Sequence, residues 1–237
     1  TTASRPYMAL QESTENNAFL TPAGDSITGT PTVDITDIFT ALISPDIATG
    51  ELRGLSRIQQ KTLKPAERSN LLLTVNELTD PFFDSAAING KTTKTKTIDN
   101  MIKSIKEEDP TFKVTSNSID DKQFDVARWI VSNKDVSLMR MDMAQLLEFD
   151  RTLTSLSFST RDATVSKKFA NARKATENAF DSMEINGQPI REMQIEFEGA
   201  PRKVGDVLKI GRARWSAYKN KWYDTGQKGK EPARLLS

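Results

Sequence analysis

The sequence of 237 residues contains neither cysteine nor histidine. Without cysteine there is no disulfide, no thiolate nucleophile and no zinc–thiolate site, and without histidine there is no imidazole general base or histidine-ligated metal. No run of about 18 apolar residues is present, so no membrane-spanning helix is predicted. Any catalytic site would therefore have to use carboxylates, lysine, tyrosine, serine or threonine.

The sequence also lacks the short motifs that identify common nucleotide and hydrolase sites. It has no Gly-x-x-x-x-Gly-Lys-Ser/Thr phosphate-binding loop, no Gly-x-Gly-x-x-Gly fingerprint and no Gly-x-Ser-x-Gly elbow. Asp120, Asp121 and Asp125 form a short acidic cluster that could bind Mg²⁺. We favour a helix N-terminus at this position, because acidic residues cap helices and complement the helix dipole. No metal and no cofactor is predicted.

Charge is balanced over the whole chain but segregated along it. The 33 basic and 32 acidic residues give a net charge of +1, which by itself indicates neither nucleic-acid nor membrane binding. Residues 201–237 include ten basic and three acidic residues, a net charge of +7, so the rest of the chain carries −6. The same segment holds four of the six tryptophan and tyrosine residues.

Residues 1–32 form a zone of sparse charge, in which ten positions are serine or threonine. Such a segment buries too little apolar surface to order by itself. It nevertheless carries two short apolar anchors. Two interpretations stay open: a disordered tail, or an arm that orders by docking its anchors on a neighbouring subunit. The predicted docking residues are Tyr7, Met8, Leu10, Phe19 and Leu20.

Residues 33–185 show the spacing of amphipathic helices. The first predicted helix is capped by Asp34 and buries Ile35, Ile38, Phe39, Leu42 and Ile43 on one face. The second is predicted to begin at Pro65 and to end at Asp80-Pro81, because proline disfavours a helix interior. Further predicted helices begin at Thr97 and at Asp120 or Asp121 and span Met143–Leu156 and Thr160–Met183.

The pattern changes after Asn186-Gly187, a dipeptide typical of turns. Met193, Ile195 and Phe197 alternate with polar residues and predict a half-exposed strand. Further strands are predicted over Val204–Ile210 and Ala213–Tyr218, with a turn at Lys219–Lys221.

The predicted fold class is mainly α: a helical body with a small C-terminal β-rich portion and extended N- and C-terminal arms. The predicted zones are an N-terminal arm over 1–32, a helical body over 33–185, a β-rich basic and aromatic portion over 186–224 and a flexible tail over 225–237.

The basic and aromatic portion is the candidate binding surface. Cations neutralise phosphates and aromatic rings stack on bases, a combination that suits single-stranded nucleic acid. In a strand, however, Arg212 and Arg214 would share one face, while Ala213 and Trp215 would lie on the other and could belong to the core. An acidic protein surface, including a neighbouring copy, would satisfy the same cations. The candidate residues are Arg202, Lys203, Lys209, Arg212, Arg214, Trp215, Lys219, Lys221 and Trp222.

Three functions follow in order of support. The first is a non-enzymatic structural protein that self-assembles through its terminal arms with copies of itself, as a viral or phage coat or nucleocapsid component. The second is a nucleic-acid-binding accessory protein that uses the C-terminal segment, and the third is a carboxylate-based enzyme. No membrane partner is predicted. Because the first residues lack the pattern of a signal peptide, the expected location is the virion or the cytoplasm.

Overall fold

The computed structural model describes residues 1–43, 65–89, 92–133, 140–160 and 163–224. These residues are mainly helical with a small β portion, which confirms the predicted fold class. The helices of the described residues are α1 (Arg5–Glu15), α2 (Thr36–Leu42), α3 (Pro65–Asn89), α4 (Lys94–Glu108), α5 (Ile119–Ser132), α6 (Met143–Ser159), α7 (Ala163–Ser182) and α8 (Val204–Asp224). The strands are β1 (Phe19–Leu20), β2 (Ser26–Ile27), β3 (Thr32–Asp34), β4 (Arg140–Asp142), β5 (Glu184–Ile185), β6 (Gln188–Pro189), β7 (Gln194–Phe197) and β8 (Ala200–Lys203), and a 3-10 turn spans Ile190–Glu192.

The chain divides into two compact units. Unit 1 comprises residues 1–33 and 141–237, and unit 2 comprises residues 34–140. The N-terminal segment therefore belongs to the same unit as the C-terminal part of the chain. The predicted zones follow chain order, whereas the compact units divide the predicted helical body near residue 140.

Among its described residues, unit 1 is built on four helices and a small sheet. Helices α6 and α7 pack against each other, and α8 packs on α6 and on α1. An antiparallel sheet has the strand order β2-β1-β7-β8, and a hairpin joins β5 to β6. The sheet buries four side chains on its inner face, namely Phe19, Ile27, Ile195 and Phe197.

Unit 2 consists of α2, α3, α4 and α5, which pack on one another. Its core contains three phenylalanines in edge-to-face contact, with ring centroids 5.4 Å apart for Phe39 and Phe82 and 5.1 Å apart for Phe82 and Phe83. Such contacts add to the free energy of apolar burial.

Three of the local predictions are confirmed. All five apolar residues assigned to the first predicted helix are buried on or beside α2. The predicted cap at Asp34 is not confirmed, because the N-cap of α2 is Ile35 without a side-chain cap hydrogen bond. Asp34 lies one residue earlier, and its carboxylate accepts a hydrogen bond from the Thr36 amide at 2.7 Å. Asn186 and Gly187 form the β5–β6 turn with φ values of 50° and 77°, and the predicted alternating strand is β7.

Pro81 does not end its helix. The prediction of a stop at Asp80-Pro81 is wrong, because α3 continues through Pro81 to Asn89. A proline removes one backbone hydrogen bond, but the two residues that follow it, Phe82 and Phe83, are buried. Burial of two aromatic rings outweighs the loss of that bond.

The two strands predicted over Val204–Ile210 and Ala213–Tyr218 are also wrong, because both belong to the single helix α8. The buried positions Val204, Val207, Leu208 and Gly211 follow the helical spacing i, i+3, i+4, i+7. Arg212 and Lys219 continue the same face. The sequence did not indicate a helical period here, because several positions on the buried face of α8 are not apolar.

Candidate functional site

Asp150 is a fully buried carboxylate in the core of unit 1. The hydroxyls of Tyr7 and Thr176 each donate a hydrogen bond to it at 2.7 Å. The Arg212 guanidinium forms an ion pair with it through Nη1, also at 2.7 Å. These four side chains come from α1, α6, α7 and α8, so one charge network joins four helices.

Arg212 is buried in this network rather than exposed on a binding surface. Its Nη2 donates to the Arg173 carbonyl oxygen at 3.0 Å, and its Nη1 also lies 3.2 Å from Thr176 Oγ1. Gly211 allows α1 to approach closely, since an added Cβ would lie 3.0 Å from Pro6 Cβ and 3.3 Å from Tyr7 Cε2. That approach brings the Tyr7 hydroxyl to Asp150.

Burial controls the protonation of the groups around Asp150. It raises the pKa of Tyr7 well above its usual range, and the negative charge of Asp150 acts in the same direction. Burial lowers the pKa of Arg173, against the opposing influence of Asp150. Tyr7 is thereby held as a neutral hydrogen-bond donor.

The aromatic residues of the C-terminal portion pack beside this network. The indole N–H of Trp215 donates to the Arg151 carbonyl oxygen at 3.1 Å, and the ring contacts Tyr7 edge to face at a centroid distance of 6.5 Å. The Lys219 ammonium lies 5.1 Å from the Trp215 ring centroid and 5.5 Å from that of Tyr218. These are cation–π contacts within the unit.

The predicted binding residues do not form one basic surface. Arg212 and Lys219 are buried, Arg214 pairs with Glu198 at 2.8 Å, and Lys203 pairs with Glu192 at 2.9 Å. The hydrogen bond from Arg214 lowers the pKa of Glu198. The members that remain exposed without such a pair among the described residues are Arg202, Lys209 and Lys221. The Trp222 side chain and the predicted tail over 225–237 lie outside the described residues.

The predicted docking residues divide into two groups. Tyr7, Leu10 and Phe19 are buried in the core of their own chain, which corrects the expectation that they dock on a neighbouring subunit. Tyr7 and Leu10 point inward because α1 packs on α6, α8 and β7. Phe19 lies on β1, which pairs with β2 and β7 in the sheet. Met8 and Leu20 face outward, with 49 % and 36 % of their surface exposed.

The acidic cluster of the sequence lies at the start of α5. Ser118 caps this helix by accepting the Asp121 amide at 3.2 Å, and Asp120 and Asp121 occupy its first turn. Asp125 is buried and accepts from the Thr115 amide at 2.6 Å and the Thr115 hydroxyl at 2.9 Å. Within the part of the chain that the structure describes, no group of three or more acidic side chains is arranged to hold a metal ion.

Two adjoining cavities open on unit 1, and both are lined by Glu177 and Arg212. The first measures about 410 Å³ and lies at the start of α8, where its four basic and four acidic lining residues balance. The second measures about 390 Å³ and is lined by Arg173, Lys174 and Arg212 with Glu177 as its acidic residue. The second cavity therefore has an excess of positive charge.

Sequence reasoning missed three members of this site: Asp150, Thr176 and Arg173. Asp150 and Arg212 are 62 residues apart in sequence, so no spacing within one element connects them. The one available signal was the helical period that runs from Val204 through Leu208 to Arg212, which predicts Arg212 on the buried face of a helix.

No protein-family model matches the chain, and no curated protein or solved structure is significantly similar to it. Among the described helices, none combines the length and the apolar character that crossing a membrane requires.

Proposed function

We propose that the chain is a non-enzymatic structural protein that self-assembles, with copies of itself as partners. The observation that supports this is the N-terminal segment of unit 1, which exposes Met8 and Leu20. Each lies next to a side chain that is fully or almost fully buried, Tyr7 and Phe19 respectively. The inward residues hold the segment in place while the outward ones stay accessible. A contact surface ordered in advance loses less conformational entropy on association than a flexible arm.

The most specific form of this proposal is a viral or phage coat or nucleocapsid component, located in the virion or the cytoplasm. It rests on the order of an arm-like N-terminal segment, a helical body and a basic C-terminus along the chain. In this proposal the N-terminal segment does not insert its anchors into a neighbouring subunit. It stays folded on its own unit, and its outer face makes the contact.

The positions of the charged residues give less support to the other two functions. Nucleic-acid binding through α8 would need its cations together on the outside, whereas Arg212 and Lys219 are buried and Arg214 pairs with Glu198. Among the described cations of α8, this leaves Lys209 and Lys221 exposed without an ion pair. A carboxylate-based enzyme would need an acid free to act on a substrate. The buried carboxylates Asp125 and Asp150 already accept two or more hydrogen bonds each from groups that hold helices and loops together.

Replacement of the two exposed apolar side chains tests the proposal. We expect the double variant Met8→Ser/Leu20→Ser to shift the molar mass measured by light scattering from an oligomer toward a monomer. The matched control is Leu73→Ser, which removes an apolar side chain that is 62 % exposed on unit 2. The control should retain the wild-type mass. A double variant that assembles as the wild type does, with unchanged circular dichroism, would contradict the proposed surface.

A further inference from the structure

The positively charged cavity of unit 1 lies between the C-terminal end of α6, the middle of α7 and α8. Ser157 and Phe158 come from α6, and Arg212 comes from α8. Helix α7 supplies the two other cations, Arg173 and Lys174. Among the lining residues, Glu177 is the single acid, so three positive charges face one negative charge.

Arg212 is paired directly with a carboxylate inside the protein, whereas no carboxylate of the described residues lies within ion-pair distance of Arg173. Asp150 pairs with Arg212 at 2.7 Å and accepts two further hydrogen bonds from hydroxyls. Arg173 donates one hydrogen bond through Nη2, at 3.3 Å, to the Arg212 carbonyl oxygen. Its Nε is buried and has no acceptor among the described residues. A guanidinium has five N–H donors, so most of the donors of Arg173 have no protein acceptor among the described residues.

Glu177 does not neutralise the cavity. Its carboxylate lies 3.9 Å from Arg212 Nη2, and its side chain is 53 % exposed. No carboxylate of the described residues lies within ion-pair distance of Arg173 or Lys174. A buried donor without an acceptor costs free energy, and so does a partly buried cation whose nearest carboxylates, Asp150 and Glu177, lie beyond ion-pair distance. A bound anion would relieve both.

We propose that this cavity binds a phosphate group through Arg173 and Lys174. The planar guanidinium matches a tetrahedral oxyanion with two parallel N–H donors, and the lysine adds a mobile point charge. The hydroxyls of Ser166 and Ser157 already donate to the Ser157 and Thr154 carbonyl oxygens, at 2.6 and 2.8 Å. Recognition therefore rests on the cations.

The size of the cavity indicates what carries the phosphate. About 390 Å³ exceeds the volume of inorganic phosphate alone, and the Phe158 side chain adds an apolar surface to one side. The ligand class is thus a phosphate ester, whose source is either a small phosphomonoester or a nucleic-acid backbone. This site does not depend on the proposed self-assembly, because all of its residues belong to one chain.

Titration of the full chain with sodium phosphate, with ionic strength held constant by sodium chloride, tests the site. We expect saturable heat release in isothermal titration calorimetry and a rise in Tm. Arg173→Gln and Lys174→Glu should each weaken binding about tenfold or more, as expected for loss of a charge-assisted hydrogen bond. Lys174 is exposed, so Lys174→Glu keeps the test valid if Arg173→Gln impairs folding.

The matched control is Lys167→Gln, which removes an exposed lysine of α7 that does not line the cavity and should bind as the wild type does. A second arm adds a single-stranded oligonucleotide: competition with phosphate assigns the group to a nucleic-acid backbone, and absence of competition assigns it to a small phosphomonoester. The proposal fails if phosphate does not bind saturably, or if Lys174→Glu and Lys167→Gln bind it equally.

Discussion

Asp150 and Arg212 show how the basic C-terminal residues are used. A buried ion pair gains Coulomb energy but loses the hydration of both ions, so its net contribution to stability is small. Here the carboxylate also accepts hydrogen bonds from Tyr7 and Thr176. The pair therefore specifies how α1, α6, α7 and α8 meet, and removal of one partner would leave the other charge buried.

Loss of the Asp150 charge should destabilise unit 1 strongly. We expect Asp150→Asn to lower the free energy of unfolding by about 3–5 kcal/mol, because the buried Arg212 would keep only the exposed Glu177 carboxylate, 3.9 Å away, as a counterion. The control is Asp181→Asn, whose carboxylate is 57 % exposed and lies 3.9 Å from Arg191. That change should cost less than about 1 kcal/mol. Urea unfolding measures both, and equal effects would contradict the role given to Asp150.

The raised pKa of Tyr7 predicts that the folded protein loses stability at alkaline pH. An unfolded tyrosine titrates near 10.0, whereas burial raises the pKa of folded Tyr7. The unfolded chain therefore releases a proton that the folded chain keeps. The stabilisation is fully present below pH 10 and decreases above it, by at most about 1.4 kcal/mol per pH unit.

Urea unfolding from pH 9 to pH 11 measures this effect of Tyr7. Tyr7→Phe should flatten the decrease, and Tyr218→Phe, which retains Tyr7, should keep it. Lysines that titrate in the same range are common to all three proteins, so the difference between the variants isolates Tyr7. Parallel curves for Tyr7→Phe and the wild type would be the contrary result.

At the scale of elements, α6 illustrates a helix start that the sequence specifies locally. Asp142 accepts the Gln145 amide at 2.9 Å, and the Gln145 side chain accepts the Asp142 amide at 3.0 Å. This reciprocal pair is a capping box, and it satisfies two backbone N–H groups that the helix cannot.

Asp142→Ala should lower the free energy of unfolding by about 1 kcal/mol, since the cap is lost while the rest of α6 is unchanged. Asp84→Ala on the exposed side of α3 is the matched control and should change stability by less than about 0.5 kcal/mol. Chemical denaturation at neutral pH compares the two. A cost for Asp142→Ala no greater than for Asp84→Ala would show that the cap does not stabilise α6.

The elements also show how far sequence reasoning reaches. The α2 helix and the β7 strand were predicted because their buried positions are apolar and follow one clear period. The α8 helix was not, because its buried face includes Gly211, Arg212 and Lys219, whose burial depends on Tyr7, Asp150 and the Trp215 ring. Tyr7 and Asp150 are distant in sequence from α8, and periodicity within one element cannot reveal them. For the same reason, Arg212 was predicted on an exposed binding surface, whereas it lies in the core of unit 1.

At the scale of the whole molecule, folding redistributes the charge. Along the chain, +7 in residues 201–237 follows −6 in the rest. By unit, the residues of unit 1 number 18 basic and 16 acidic, and those of unit 2 number 15 and 16. The net charges of +2 and −1 are small, because the C-terminal cations share a unit with Asp150, Glu192 and Glu198. The separation of basic from acidic residues along a sequence therefore does not predict a charged surface on the folded protein.

Sedimentation velocity of the wild-type chain over a wide concentration series tests the central claim of self-assembly most directly. Association through an apolar surface predicts that the sedimentation coefficient rises with protein concentration. This rise should persist at high salt, because salt screens charges but does not weaken apolar burial. A single monomeric species at every concentration, in low and high salt, would contradict the account.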